Sequence, residues 1–259
     1  MNDNMNMTTD LSMALDPVAF FEAATGFAAD PWQRTVLEST SRKLALLCSR
    51  QSGKTTVCSA LALHAALYQF PGETICLLAP SLRQSSEAMR AITKMYRALS
   101  GEGIEPVIAE SALRLEFKNG SRIVAMPGAG DSTVRGISAQ IILADEASRI
   151  SEELINAARP FLASKKDSRL ICLTTPWFSR GWFHDLWINE DPSWERVKID
   201  AYSCPRIDPA WLASERAEIG EVAFKSEYLV EFLNESDSVF PDALVRAAFD
   251  NDLEPLWEK

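Results

Sequence analysis

Residues 44–56 read Leu44-Ala45-Leu46-Leu47-Cys48-Ser49-Arg50-Gln51-Ser52-Gly53-Lys54-Thr55-Thr56, and this run decides how the chain folds. Its opening aliphatic residues predict a strand buried on both faces. After the loop, Val57, Ala60, Leu61, His64 and Leu67 recur at helical spacing, so the segment reads strand, loop, helix. Such a junction suits an anion: backbone N–H groups and the positive end of the new helix point at one place. Gly53 lets the chain pass close to a phosphate, Lys54 adds a charge that reaches the outer phosphates, and Thr55 offers a hydroxyl to Mg²⁺. Ser49, Arg50, Gln51, Ser52 and Thr56 complete the candidate nucleotide-binding loop. The usual pattern places a first Gly where this chain carries Cys48, and the alternative reading is a Gly-Lys pair at an ordinary helix start.

A second motif downstream favours the phosphate reading. Residues 140–148 read QIILADEAS, an apolar run that delivers Asp145 and Glu146 to the end of a buried strand. Two adjacent carboxylates there are costly unless a metal or a reaction uses them. In phosphate-loop enzymes the first carboxylate holds Mg²⁺ and the second takes a proton from the attacking water. A third strand, RLICL at 169–173, ends in Thr174-Thr175-Pro176, whose hydroxyls are placed to sense a γ-phosphate.

The remaining segments predict shorter elements. Asp16-Pro17 and Asp30-Pro31 each set a capping side chain before a proline suited to the first helical position. The helix after Asp30 carries Trp32 and Gln33, read either as an adenine-recognising pair or as a core tryptophan beside a solvated glutamine. TICLLA at 74–79 predicts another buried strand, and Pro80-Ser81 opens a long helix. Leu113, Leu115 and Phe117 alternate with Arg114, Glu116 and Lys118, and Asn119-Gly120 then signals a hairpin returning through 121–126. Arg114, Lys118 and Arg122 on that ribbon read as a solvated face or as DNA-backbone contacts. Arg135, before Gly136, reads as a phosphate-directed arginine or as a turn cap. The aromatic group Trp177, Phe178, Trp182, Phe183 and Trp187 reads as packing, because it lacks interleaved lysines.

Composition sets the outer bounds. The 259 residues are enough for one large core with a small appendage, and 47% hydrophobic with 24% charged residues is ordinary for a globular protein. A formal charge of −10 opposes nonspecific coating of nucleic acid by a monomer, though not a local basic groove. The five cysteines form no C-x-x-C pair and read as reduced core residues. The start, MNDNMNMTTD, lacks the layout of a secretion signal, and no apolar run approaches the ~20 residues that span a bilayer, so no membrane partner is expected.

Together these motifs resemble the ATPase domain of the large terminase subunit, the DNA-packaging motor of tailed bacteriophages and related viruses. SRQSGKTT is similar to that family's variant phosphate loop, with an arginine at Arg50, and Pro31-Trp32-Gln33 to its adenine-binding glutamine motif. Ala79-Pro80-Ser81 followed by Gln84 and Ala88, the Val134-Arg135-Gly136 run, ILADEAS and Thr174-Thr175-Pro176 stand in the family's order. Phe224 to Tyr228, Glu231-Phe232 and Ser238-Val239-Phe240 resemble its lid signature. The resemblance implies an α/β fold, a RecA-like (ASCE) P-loop NTPase whose central, mainly parallel sheet is flanked by helices, with a small helical lid. The expected layout is a disordered tail over 1–15, the ATPase core over 16–200, the lid over 201–242 and a tail or linker over 243–259. ATP and Mg²⁺ are the implied cofactors, with Thr55 and Asp145 on the metal. Glu146 is the implied base, Arg135 an arginine finger acting on a neighbouring subunit, Arg50 a second catalytic arginine or a relay to the lid, and Thr174 and Thr175 the coupling residues. Implied partners are double-stranded DNA, further copies in a ring on a portal protein, and the small terminase subunit, in the cytoplasm of a bacterial host. Family members usually continue into an RNase H-like nuclease, and no nuclease activity is expected of these residues. The alternatives are a helicase-like translocase and a non-catalytic nucleotide-binding assembly module.

Overall fold

A computed structural model describes residues 2–99, 104–128, 138–163, 165–189 and 191–233, with side chains from residue 9 onward. The run that opens the phosphate loop forms strand β1 (Lys43–Cys48), in which Leu44 to Cys48 are at most 1% exposed. Both-face burial follows from its place inside the sheet, where it pairs in parallel with β7 (Arg169–Thr174) and with β8 (Glu195–Ile199). The other described strands are β2 (Thr74–Ala79), β3 (Val107–Ser111), β4 (Arg114–Phe117), β5 (Arg122–Pro127) and β6 (Ile141–Asp145). Their spatial order is β3-β4-β5-β2-β6-β7-β1-β8. β5, β2, β6, β7, β1 and β8 run parallel, and β4 is antiparallel to both its neighbours. The sheet is therefore mainly parallel, as expected.

Side-chain alternation along each strand divides the core into two layers. Leu44, Leu46, Ile75, Leu77, Ile141, Leu143, Ile171 and Leu173 meet helices α2 (Pro17–Thr25), α3 (Pro31–Glu38), α4 (Lys54–His64) and α5 (Leu82–Leu99) on one face. Ala45, Leu47, Cys76, Leu78, Ile142, Ala144, Leu170 and Cys172 meet α6 (Glu152–Ala158) and α7 (Trp182–Ile188) on the other. All five cysteines are buried and unpaired. The aromatic group divides: Phe183 is 1% exposed and Trp182 Nε1 donates to the Ile150 carbonyl at 2.8 Å, whereas Trp177 is 39% exposed.

The hairpin forms where Asn119-Gly120 predicts it. Gly120 has φ +85°, Asn119 Oδ1 accepts from the Ser121 amide at 2.9 Å, and Leu115 pairs with Ile123. β3 extends this ribbon outward as an edge strand that no alternation of residue type predicts.

The structure differs from expectation at the N-terminus. Residues expected as a disordered tail form helix α1 (Asn2–Leu15). Tertiary contacts account for it: the Tyr68 hydroxyl donates to Asp10 at 2.6 Å, and His64 Nε2 lies 3.0 Å from the Met13 carbonyl, which as an acceptor requires the proton on Nε2. Beyond β8, α8 (Pro209–Ile219) and α9 (Glu221–Glu227) enclose a small core of their own made by Ala201, Leu212, Phe224 and Tyr228. Among the described residues no helix is long and apolar enough to cross a membrane.

Candidate nucleotide site

The site assembles at the C-terminal ends of three neighbouring strands. β1 delivers the loop, β6 delivers Asp145 and Glu146, and β7, standing between them, delivers Thr174 and Thr175. Gly53, at φ +93°, is the residue ahead of α4, a conformation that suits glycine. The first helical bond at this end runs from the Val57 amide to the Gly53 carbonyl, so the amides of Lys54, Thr55 and Thr56 have no partner within the helix.

Lys54 reaches across β7. Its Nζ lies 2.8 Å from Glu146 Oε1 and donates to Thr175 Oγ1 at 2.9 Å. The Thr55 hydroxyl donates to Asp145 Oδ2 at 3.4 Å, and the Glu146 amide donates to Asp145 Oδ1 at 3.0 Å. Glu146 sits at φ 52°, a left-handed conformation uncommon outside glycine, and this outlier lies where the two acidic residues turn off the strand. Loss of solvent around the Asp145 carboxyl pushes its pKa up to about 6, helped by the Glu146 charge and opposed by Lys54, the Glu146 amide and the Thr55 hydroxyl. A carboxylate so disfavoured is stabilised by a cation. The Thr55 hydroxyl and the Asp145 carboxylate are hard oxygen donors beside one another, the donor set that Mg²⁺ takes when phosphates and water complete its shell.

Thr174 is fully buried and bonded within the protein: its hydroxyl accepts from the Ser148 amide at 3.2 Å and donates to the Thr175 carbonyl at 2.8 Å. Gln33 is also buried, against the alternative of a solvated side chain. Its Oε1 accepts from the Asp30 amide at 2.9 Å, closing the start of α3, while Nε2 is buried without a partner. Ser49 is buried and its amide donates to the Ile199 carbonyl at 2.7 Å, while Gln51 is exposed at φ 57° and Ser52 is buried with its hydroxyl unpartnered. Arg50 points toward α9, its Nη1 3.5 Å from Glu227 Oε2 and its amide donating to the Glu227 carbonyl at 2.8 Å.

Other expected site residues stand apart. Arg122 Nε donates to the Thr74 hydroxyl at 2.7 Å, and Arg114 pairs with Glu116, which faces Arg122 across the hairpin. Lys118 is exposed in the turn. A further cationic surface is carried by α5, where Arg90, Lys94 and Arg97 line a groove closed by Glu110 and Ser111. Arg135 and Ser238-Val239-Phe240 lie outside the described residues.

Two contributors escape the sequence reading. Ser148 completes the hydroxyl network with Thr174, and it follows the DEA run closely enough for the strand-end pattern to point to it. Arg206 Nη2 donates to Asp30 Oδ2 at 2.8 Å and to the Ser52 carbonyl at 3.2 Å, contacts between residues too far apart in the chain for any local pattern to reveal.

The chain is also similar to known proteins in sequence and in fold. The family model described as "Terminase large subunit, T4likevirus-type, N-terminal" matches residues 45–246. The large terminase subunit of Thermus phage G20c is 26% identical over 253 residues, covering 85% of this chain and 52% of that protein. The chain thus spans about half the length of the curated relatives it matches. Among solved structures, the ATPase domain of the Thermus phage P74-26 large terminase superposes with a TM-score of 0.71 at 20% identity, covering 82% of this chain and 96% of that one. The large terminase of a thermophilic bacteriophage, solved in complex with ADP, gives 0.65 at 13% identity, covering 83% of this chain and 52% of that one. These likenesses fix the fold as that of large terminase ATPase domains, and the family match, which takes in most of the chain, shows that it belongs to the terminase large-subunit family through that family's T4likevirus-type N-terminal region.

Proposed function

We propose that this chain is the ATP-hydrolysing part of a motor subunit that moves double-stranded viral DNA into a procapsid. The observation that carries the reading is the meeting of Lys54, Glu146 and Thr175, with the Lys54 ammonium within 2.9 Å of a polar atom of each of the other two, beside the Thr55–Asp145 pair. In this reading the loop amides and Lys54 bind the β- and γ-phosphates of ATP, and the carboxamide of Gln33 faces the adenine side. Thr55 and Asp145 hold Mg²⁺, which supplies charge neutralisation on the phosphates.

Glu146 is the base that orients and deprotonates water. A γ-phosphate at Lys54 competes with Glu146 for the ammonium, and the freed carboxylate can turn to the water. Arg135, supplied by a neighbouring subunit, neutralises the charge that develops on the transferring group, a contribution worth about 10³–10⁵ in rate in other phosphate-transfer enzymes. Arg50, held at Glu227, relays the state of the loop to α9, and α8 with α9 acts as the lid. Thr175 touches Lys54 directly, so loss of the γ-phosphate is felt at the end of β7.

DNA, a ring of copies on a portal and a small terminase subunit are the partners of this reading, in the cytoplasm of a bacterial host. A lumen concentrates the few cations of each subunit around the duplex, which offsets the acidic balance of the whole chain. Lys118, with Arg90 and Lys94 on α5, is better placed for that contact than Arg122, which is bonded to Thr74, or Arg97, which is paired with Glu110. The test is Glu146→Gln: it should bind ATP as the parent does and lose turnover, and hydrolysis at the parental rate would remove the assigned role.

A further inference from the structure

The phosphate loop is held from the far end of the chain as well as by its own strand. Arg206, in the segment leading into α8, sends one guanidinium nitrogen to two acceptors, Asp30 Oδ2 at 2.8 Å and the Ser52 carbonyl at 3.2 Å. Asp30 is 8% exposed, so its carboxylate requires a partner, and the guanidinium also lies 5.4 Å over the Phe27 ring. A Cβ built on Gly53 would meet Arg206 Nη2 and Gln33 Nε2, each at 3.1 Å. Both nitrogens therefore close on one point above the loop, and the Gln33 nitrogen is buried with no acceptor.

The Ser52 carbonyl belongs to the same peptide unit as the Gly53 N–H, and in a trans peptide the two point in opposite directions. Whatever fixes the carbonyl fixes the amide. We propose that Arg206 is a positioning residue for nucleotide binding: by holding the Ser52 carbonyl it aims the Gly53 N–H into the phosphate cradle, and by holding Asp30 it ties α3, the loop and the lid segment into one body. The proposal rests on the nucleotide site described above. Arginine suits the task because the two N–H groups of Nη2 are fixed in the guanidinium plane and can serve a carboxylate and a carbonyl at once, a geometry that a freely rotating lysine ammonium does not hold. It also gives the lid a second grip on the loop, beside the bond from the Arg50 amide to the Glu227 carbonyl. Movement of α8 would then reorient a phosphate-binding amide directly.

The experiment compares Arg206→Ala, Arg206→Lys and Asp30→Asn with the parent protein. Binding of a fluorescent ATP analogue in the presence of Mg²⁺ and the KM and kcat for ATP are measured, with hydrogen exchange of the loop amides followed in protein to which no nucleotide is added. Arg206→Ala should weaken binding and raise KM about tenfold, the size of one charge-assisted hydrogen bond, with kcat changed much less. Exchange should quicken at residues 52–55 and stay unchanged in β6. Arg206→Lys should recover part of the loss, and Asp30→Asn should reproduce a smaller KM effect even if Arg206→Ala folds poorly. Parental KM and parental loop exchange in Arg206→Ala, or a fall in kcat at constant KM, would overturn the proposal. If the parent protein itself binds no ATP, the nucleotide reading fails, whereas the exchange measurement still decides whether Arg206 holds the loop.

Discussion

Replacing Thr174 by valine removes a hydroxyl from a fully buried position while nearly conserving volume, so its cost can be worked bond by bond. The hydroxyl accepts from the Ser148 amide at 3.2 Å, lies 2.6 Å from Ser148 Oγ, and donates to the Thr175 carbonyl at 2.8 Å. Ser148 Oγ itself reaches the Thr175 carbonyl at 3.1 Å, so after the change that carbonyl keeps a donor. The group left without an acceptor is the Ser148 amide. One orphaned amide costs about 1–3 kcal/mol, and the lower half of that range applies because Ser148 is only half-buried. For a chain of this size a loss of about 1–2 kcal/mol lowers Tm by roughly 2–8 °C. Thr175→Val is the matched control. Its hydroxyl accepts from Lys54 Nζ at 2.9 Å, but Lys54 retains Glu146 at 2.8 Å, so that change should cost under about 1 kcal/mol while still slowing hydrolysis. Thermal unfolding of the two variants beside ATP turnover reads both effects. A parental Tm for Thr174→Val, or a larger loss for Thr175→Val, would refute the assignment of Thr174 to the scaffold and Thr175 to the nucleotide.

Two other perturbations follow from the geometry. Gly53→Ala forces a side chain into φ +93° and against the Arg206 and Gln33 nitrogens at 3.1 Å, so it should lose roughly 1–3 kcal/mol of stability and weaken ATP binding together; a variant that binds ATP like the parent would show that the loop adopts another conformation. His64 is buried, and desolvation lowers its pKa below the ordinary 6.5 despite its bonds to the backbone at Met13 and Ala14. A histidine whose folded value is depressed stays neutral in the native protein, so its contribution to stability is present above about 6.5 and is lost as pH falls toward the folded value. Urea denaturation at a series of pH values should show the parent losing more stability below about pH 6.5 than His64→Gln does, and parallel profiles would rule out this linkage.

What the sequence made legible was local. Leu44–Thr56 and Gln140–Ser148 each carry strand, turn and chemistry within a short window, so periodicity and residue type sufficed to place Lys54, Thr55, Asp145 and Glu146. Asn119-Gly120 fixed the hairpin for the same reason. The misses came from contacts between distant parts of the chain. Helix α1 has a polar composition without a clear apolar face and is held by Tyr68 and His64 from the far end of α4 and the turn beyond it, which no reading of residues 1–15 alone could supply. Val107–Ser111 is mostly exposed and lacks the alternation of a half-buried strand, and it forms because β4 offers it an edge. Spacing groups Arg114, Lys118 and Arg122, yet partners from the hairpin and from β2 engage two of the three. Arg206 reaches Asp30 and Ser52 from the other end of the chain, and its neighbours in sequence say nothing of the loop it holds.

For these roles to hold, the loop amides around Gly53 and the acidic pair at the end of β6 must serve one magnesium nucleotide. The most direct measurement is a crystal structure of the protein grown with Mg²⁺ and a slowly hydrolysed ATP analogue. This arrangement puts the γ-phosphate at Lys54 Nζ and the ion on Thr55 and Asp145, with the Glu146 carboxylate released from Lys54. A nucleotide bound elsewhere, or one at the loop whose metal is held without Thr55 or Asp145, would contradict it.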